Sequence, residues 1–137
     1  MTNDKIQMTK EIKNTNEKYQ NSKNKNFDLE ERTLRFAKNC IDLCKVVFKD
    51  FISTVLVQQL IRASTSIGAN YREANESITK KDFFHRIGIC RRESKESRYW
   101  LELLSHTSPK LLIEIRHLSD EALQLARIFA SISRKRI

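Results

Sequence analysis

The sequence predicts an all-α protein, an antiparallel up-down-up-down four-helix bundle with a flexible polar N-terminal tail. Three observations lead there. Only two Gly and one Pro occur in 137 residues, too few for the many turns of a sandwich or barrel of short strands. Beyond residue 27, apolar residues recur three and four apart, the period of a helix face. Hydrophobic residues make up 39% and charged residues 31%, the balance of helices that bury one stripe and solvate the rest. The length suits a single domain.

Residues 1–26 read as a separate polar tail. They hold six Lys, six Asn and three acids, a net +3, and Ile6, Met8, Ile12 and Tyr19 are too sparse to build a core. The stretch is either a disordered extension or a basic arm or short helix that orders on a partner. Residues 27–137 form the bundle. The first helix is expected to open at Asp28, with Glu31 three places on completing a capping box. Leu34, Ala37, Ile41, Cys44 and Phe48 form its stripe. A break follows at 50–53. The second helix starts near Ser53 or Thr54, carries Leu56, Leu60, Ala63, Ile67, Tyr71 and Ala74, and runs to about Glu76. Thr79 caps the third, with Asp82 placed to complete the cap. Its stripe is Phe83 or Phe84, Ile87, Cys90, Ser94, Ser97, Leu101 and Leu104. Ser108 as N-cap and Pro109 at the first helical position start the fourth. Leu112, Ile115, Leu118, Ala122, Leu125, Phe129 and Ile132 give its buried side. Short connections make neighbouring helices antiparallel.

No run approaches the roughly 18–20 apolar residues of a membrane span, and the N-terminus lacks the apolar core of a secretory signal. Three cysteines are an odd number, so a disulfide framework is not expected. A reduced, cytoplasmic setting fits best, without a membrane partner.

Folding the second and third helices into a hairpin about Ile78 sets positions whose numbers sum to about 156 level. Gly68 then faces Gly88, and Arg62 lies near Glu93 and Glu96. Glycine inside a helix costs about 1 kcal/mol against Ala, so two at one level suggest close helix approach. The alternative is a groove kept open for a ligand or a neighbouring subunit.

Here the residues carry a family resemblance. The stretch Gln59-Leu60-Ile61-Arg62-Ala63-Ser64-Thr65-Ser66-Ile67-Gly68-Ala69-Asn70-Tyr71-Arg72-Glu73-Ala74 resembles the signature of the small bacterial four helix bundle protein family. So do Lys81-Asp82-Phe83-Phe84 and Glu93-Ser94-Lys95-Glu96-Ser97 leading into Trp100-Leu101-Glu102-Leu103-Leu104. That family includes proteins encoded in intervening sequences of bacterial large-subunit ribosomal RNA genes. It also includes the accessory variability determinant of diversity-generating retroelements. The resemblance covers about residues 30–133. It implies a protomer that assembles into a homo-pentamer and, in the retroelement branch, binds nucleic acid and a reverse transcriptase. It implies no enzyme. The polar tail is not part of the family's common pattern.

Candidate sites follow. Lys plus Arg total 26 against 17 acids, a formal +9, so an acidic partner is expected, with RNA or DNA the leading candidate. The basic groups are Lys80 and Lys81, Arg91 and Arg92 with Lys95 and Arg98, and Arg134, Lys135 and Arg136. Helix geometry puts Arg91, Lys95 and Arg98 on one side. They read either as a phosphate-tracking stripe or as a solvated face partly neutralised by Glu93, Glu96 and Glu102. Aromatics are not interleaved with the bases, so stacking on single strands is weakly supported. Arg62, Gly68, Asn70, Arg72, Glu73, Gly88, Glu93, Glu96 and Trp100 are expected to serve helix packing or oligomer contacts, with Trp100 either in the core or between subunits.

Catalytic patterns are missing. The chain has no HExxH, no Gly-rich phosphate loop and no GxSxG. Cys40 and Cys44 share a face but lack further ligands at metal spacing. His85, His106 and His117 read as solvated or partly packed side chains, and none of Glu73, Glu76, Glu93, Glu96 and Glu102 has the His three places on that a ferritin-like site needs. Neither metal nor cofactor is expected. The two function readings are a non-enzymatic nucleic-acid-binding oligomer, accessory to a nucleic-acid enzyme, and an assembly scaffold that binds only protein.

Overall fold

The structure, a computed structural model, describes the backbone of residues 13–136 and side chains from Leu29 onward. It consists of four α-helices: α1 (Lys13–Val46), α2 (Phe51–Asn75), α3 (Lys80–Thr107) and α4 (Leu112–Ser133). A 3-10 turn, Pro109–Leu111, leads into α4. No strand occurs among the described residues. The chain falls into two units, residues 1–32 and residues 33–137. The first contributes the opening turns of α1. The second contains the rest of α1 and the three helices that follow.

The order of elements is as the sequence predicts, while several ends differ. The capping box at Asp28 and Glu31 does not form a terminus, because α1 is already helical from Lys13. Neither Gly nor Pro stands between Lys13 and Asp28, and Lys, Glu and Gln are good helix formers. The rest of the expected tail, residues 1–12, lies outside the described residues. Helix α2 starts earlier than Ser53. Asp50 is its N-cap, with extended backbone, and its carboxylate accepts the Ser53 N–H at 2.8 Å. Thr79 caps α3 as expected, accepting the Asp82 N–H at 3.1 Å. Ser108 makes no side-chain cap bond; the turn at Pro109 is 3-10 and α4 proper starts at Leu112.

In residues 33–137, α2 packs on α3 and α3 on α4. The stripes of α2, α3 and α4 are buried much as their periodicity requires. Leu60, Ala63, Ile67, Ile87, Cys90, Leu101, Leu104, Ala122, Leu125 and Phe129 are all fully enclosed. Tyr71 and Phe129 meet across the core with ring centroids 5.7 Å apart. The stripe of α1 is rotated from the expected one. Phe36, Ala37, Cys40, Leu43, Cys44 and Val47 are buried, Leu34 and Ile41 only half so. Phe48 is 79% exposed because α1 ends at Val46 and the connection leaves helical phase.

The hairpin register holds, but not through the glycines. Cys90 donates its thiol to the Ile67 carbonyl at 3.4 Å, and Arg86 donates to the Asn70 amide oxygen at 2.8 Å. Small buried residues, Ala63, Ser94 and Ser97, allow the approach. The two serines satisfy themselves within their own helix, bonding the Cys90 and Glu93 carbonyls at 2.8 Å. Gly68 instead faces α1. A Cβ there would lie 3.0 Å from Thr33 Oγ1 and 3.3 Å from its Cβ, while a Cβ on Gly88 would meet nothing within 4 Å. The expected contact between the two glycines is therefore replaced by a Gly68–Thr33 contact and an open position at Gly88.

Candidate nucleic-acid interface

Helix α3 is long and lies between α2 and α4, so one side meets each neighbour and a third side is left to solvent. Arg91, Lys95 and Arg98 rise along one face at helical spacing. That face meets α4 across an open groove of about 400 Å³. The three bases line it together with Arg127 of α4, Tyr99 and the acid Glu102, while Ala122, Leu123, Ala126 and Ala130 line it from α4. Three of the sequence-predicted bases stand elsewhere on the same helix: Arg92 is exposed but does not line the groove, and Lys80 and Lys81 are exposed in the first turn of α3. Arg134, Lys135 and Arg136 follow the last turn of α4 and are also exposed. In an antiparallel bundle that turn lies at the end from which α3 starts. The bases thus extend from the groove to one end of the molecule.

Sequence reasoning missed two members of the groove. Tyr99 is 56% exposed. It follows Arg98 directly and stands four places after Lys95, so helix spacing alone places it on the face of the bases. Arg127 comes from another helix, so no spacing rule within α3 could have found it. The expectation that no aromatic accompanies the bases is thereby corrected.

The opposite side of α3 carries the polar cluster predicted between the hairpin helices. The Arg62 guanidinium donates to Glu96 Oε1, to Glu93 Oε1 at 3.4 Å and to Gln59 Oε1 at 3.4 Å. Trp100 Nε1 donates to the same Glu96 oxygen at 3.2 Å. Trp100 is half-buried and stacks edge-on against Tyr99, centroids 5.2 Å apart. The Arg62 side chain is 48% exposed and Glu93 14%, so the pairs fix orientation more than they add stability. Asn70 donates to the Ser66 carbonyl and hydroxyl, both at 2.9 Å, while accepting from Arg86. Arg72 is exposed in the last turn of α2. Glu73 lines a second hollow at the α2–α3 turn, with Glu76, Asp82, His85 and Arg86 around it. The glutamates thus ion-pair or solvate. Among the described residues no group of three or more His, Cys, Asp or Glu could hold a metal ion.

The three cysteines are buried and free. Burial pushes Cys40 and Cys90 up to about 12 and Cys44 up to about 11. For Cys40 a hydrogen bond with Ser64 opposes the shift, and for Cys90 the Arg86 charge does. Thiols held neutral in this way are neither nucleophiles nor metal ligands at neutral pH.

No described helix is long and apolar enough to cross a membrane. Exposed apolar side chains gather instead where α1 passes into α2: Val46, Phe48, Phe51, Ile52 and Val55 are each at least 42% exposed.

Comparison with known proteins agrees with the fold and its residues. A solved structure of a protein with unknown function from the S23 ribosomal protein family of Bacteroides thetaiotaomicron is 31% identical. It covers 76% of this chain and 96% of its own, with a TM-score of 0.69. No curated protein matches. The family described as 23S rRNA-intervening sequence protein matches residues 25–131, from within α1 to near the end of α4 and almost none of residues 1–26. With that match over most of its length and a relative of the S23 ribosomal protein family at this identity, the chain belongs to the 23S rRNA-intervening sequence protein family.

Proposed function

We propose that the protein is a non-enzymatic, cytoplasmic homo-oligomer that binds nucleic acid through the basic groove between α3 and α4. The observation that carries this reading is the convergence of Arg91, Lys95, Arg98 and Arg127 on one open trough. Four cations at this density serve phosphates better than they serve folding, since like charges in proximity repel. The family's association with 23S rRNA intervening sequences favours RNA as the ligand. The exposed Arg92, Lys80, Lys81, Arg134, Lys135 and Arg136 extend the field beyond the groove. Contacts of this kind position a backbone and carry little sequence information. The family resemblance supplies the pentamer. A ring of five would carry five times +9, a formal +45, and would hold several grooves against one strand. A reverse transcriptase is the proposed protein partner in the retroelement branch, and residues 1–26 are proposed as a basic arm outside the bundle.

The test is RNA and DNA binding across a salt series, with mass in solution measured on the same sample. A steep fall with salt is expected. Substituting Arg91→Glu, Lys95→Glu and Arg98→Glu together should abolish binding and leave helicity and oligomer mass unchanged. Binding that survives the triple reversal overturns the groove as the site. Failure to bind at low salt by a well-formed oligomer overturns nucleic-acid binding altogether. The second reading, a scaffold that binds only protein, is favoured by the exposed Val46, Phe48, Phe51, Ile52 and Val55, a larger apolar surface than isolated side chains usually make. Co-purification of a reverse transcriptase lost on Phe48→Ser with Phe51→Ser, but not on the triple reversal, would support it.

A further inference from the structure

The α3–α4 groove has a composition that phosphate binding alone does not need. Its rim carries Arg91, Lys95, Arg98 and Arg127 with Glu102 among them, its floor is the buried Ala122 and Ala126, and Tyr99 stands in it with more than half of its surface exposed. A duplex keeps the faces of its bases stacked inside and meets a protein with backbone and base edges. It would engage the cations and leave the tyrosine ring without a base to stack on. The trough of about 400 Å³ lies near the lower end of the roughly 300–1,000 Å³ typical of small-ligand sites. That is room for a single nucleotide, not for a helix of nucleic acid. The tyrosine is braced on one side by its edge-on contact with Trp100, and Trp100 is itself tied to Glu96. A braced, half-exposed ring beside cations is a stacking platform, and stacking accepts any base because every base has an aromatic face.

We propose that the groove takes one unpaired nucleotide, its base on Tyr99 beside the partly exposed Ala130 and its flanking phosphates on Arg91, Lys95, Arg98 and Arg127. This rests on the nucleic-acid reading above and narrows it to single strands, loops or bulges. Unpaired RNA is the form in which bases are free to be taken out of a stack. The open position at Gly88, one turn before Arg91 on α3, leaves room beside the groove for the neighbouring part of the strand.

The test uses the full chain and four labelled probes of equal length: oligo(U) RNA, oligo(dT), an RNA duplex and a DNA duplex. Both single strands are expected to bind about tenfold more tightly than either duplex. Tyr99→Ala should remove that preference and leave the salt slope unchanged. Tyr99→Phe should keep it. Lys95→Gln should weaken all four probes alike and reduce the salt slope. Tyr99 is largely exposed, so its loss leaves the fold intact, and a circular-dichroism melt checks this. Equal binding of single strands and duplexes, unaffected by Tyr99→Ala, overturns the unpaired-nucleotide site while leaving the electrostatic reading standing. Absence of binding by every probe overturns both. A preference for oligo(U) over oligo(dT) assigns the site to RNA, and equal binding assigns it to single strands of either kind.

Discussion

Gly68 and Gly88 show how one residue type serves two different surroundings. A methyl at position 68 would press on Thr33, which is wholly buried and has no free end to move aside. The helix-propensity gain is then outweighed by overpacking, which costs about 1–3 kcal/mol. Gly68→Ala should lower stability in urea unfolding by about 1–2 kcal/mol. Gly88→Ala meets open space and should raise it by about 0.5–1 kcal/mol. If the nucleotide strand passes over position 88, the gain in stability will come with weaker binding. The buried thiols give a second residue-scale outcome. Cys40, Cys44 and Cys90 sit at about 12, 11 and 12 in the native state against an ordinary 9.0. Below pH 9 both folded and unfolded chains keep these protons, and the stability they support is fully present. As pH rises from 9 toward 11–12, only the unfolded chain ionises, so stability falls. Native protein should react slowly with a disulfide reagent at pH 8, and urea should release all three thiols.

The helix ends differ in how firmly they are built, and the difference can be measured element by element. Asp50 and Thr79 accept a backbone N–H at the start of α2 and α3, whereas Ser108 makes no such bond. Asp50→Ala and Thr79→Ala should each cost about 1 kcal/mol in thermal or urea unfolding, and Ser108→Ala should cost almost nothing. Legibility followed the same division. The stripes of α2, α3 and α4 could be read from spacing because each has a single apolar face with a capping residue or Pro109 to set its phase. In α1 two overlapping faces fit the period, Leu34 with Ile41 and Phe36 with Leu43. The capping box read at Asp28 and Glu31 is no terminus, since α1 is already helical from Lys13, and a phase counted from it places the face about one residue off. The hairpin register was readable from the fold of the chain at Ile78, but which small residues form the seam was not. That depends on the rotation of α1, which brings Thr33 to Gly68.

At the scale of the molecule, the site is a property of two helices and so was half legible. Arg91, Lys95 and Arg98 belong to one helix and declare themselves by spacing. Tyr99, four places after Lys95, shares that face, whereas Arg127 joins them only once α4 has packed beside α3. Charge at this scale makes a further expectation. For the proposed oligomer, mass by light scattering should stand at about five times that of the protomer. Reversal of the groove bases should leave that mass unchanged, while Phe48→Ser with Phe51→Ser should lower it if the exposed apolar end joins subunits. The two surfaces are on different parts of the fold, one on α3 and α4, the other where α1 meets α2. Binding and assembly can therefore be separated by mutation.

The connections between the helices are brief: four residues separate α1 from α2 and α2 from α3, and a single 3-10 turn leads into α4. Each of the pairs α2–α3 and α3–α4 therefore joins segments that are neighbours along the chain, and the loop entropy lost in bringing them together is small. Chains with such local wiring reach the native state in microseconds to milliseconds. A protomer made on the ribosome can thus close its hairpins as they emerge, before the apolar stripes of α2, α3 and α4 have long to meet the wrong neighbour.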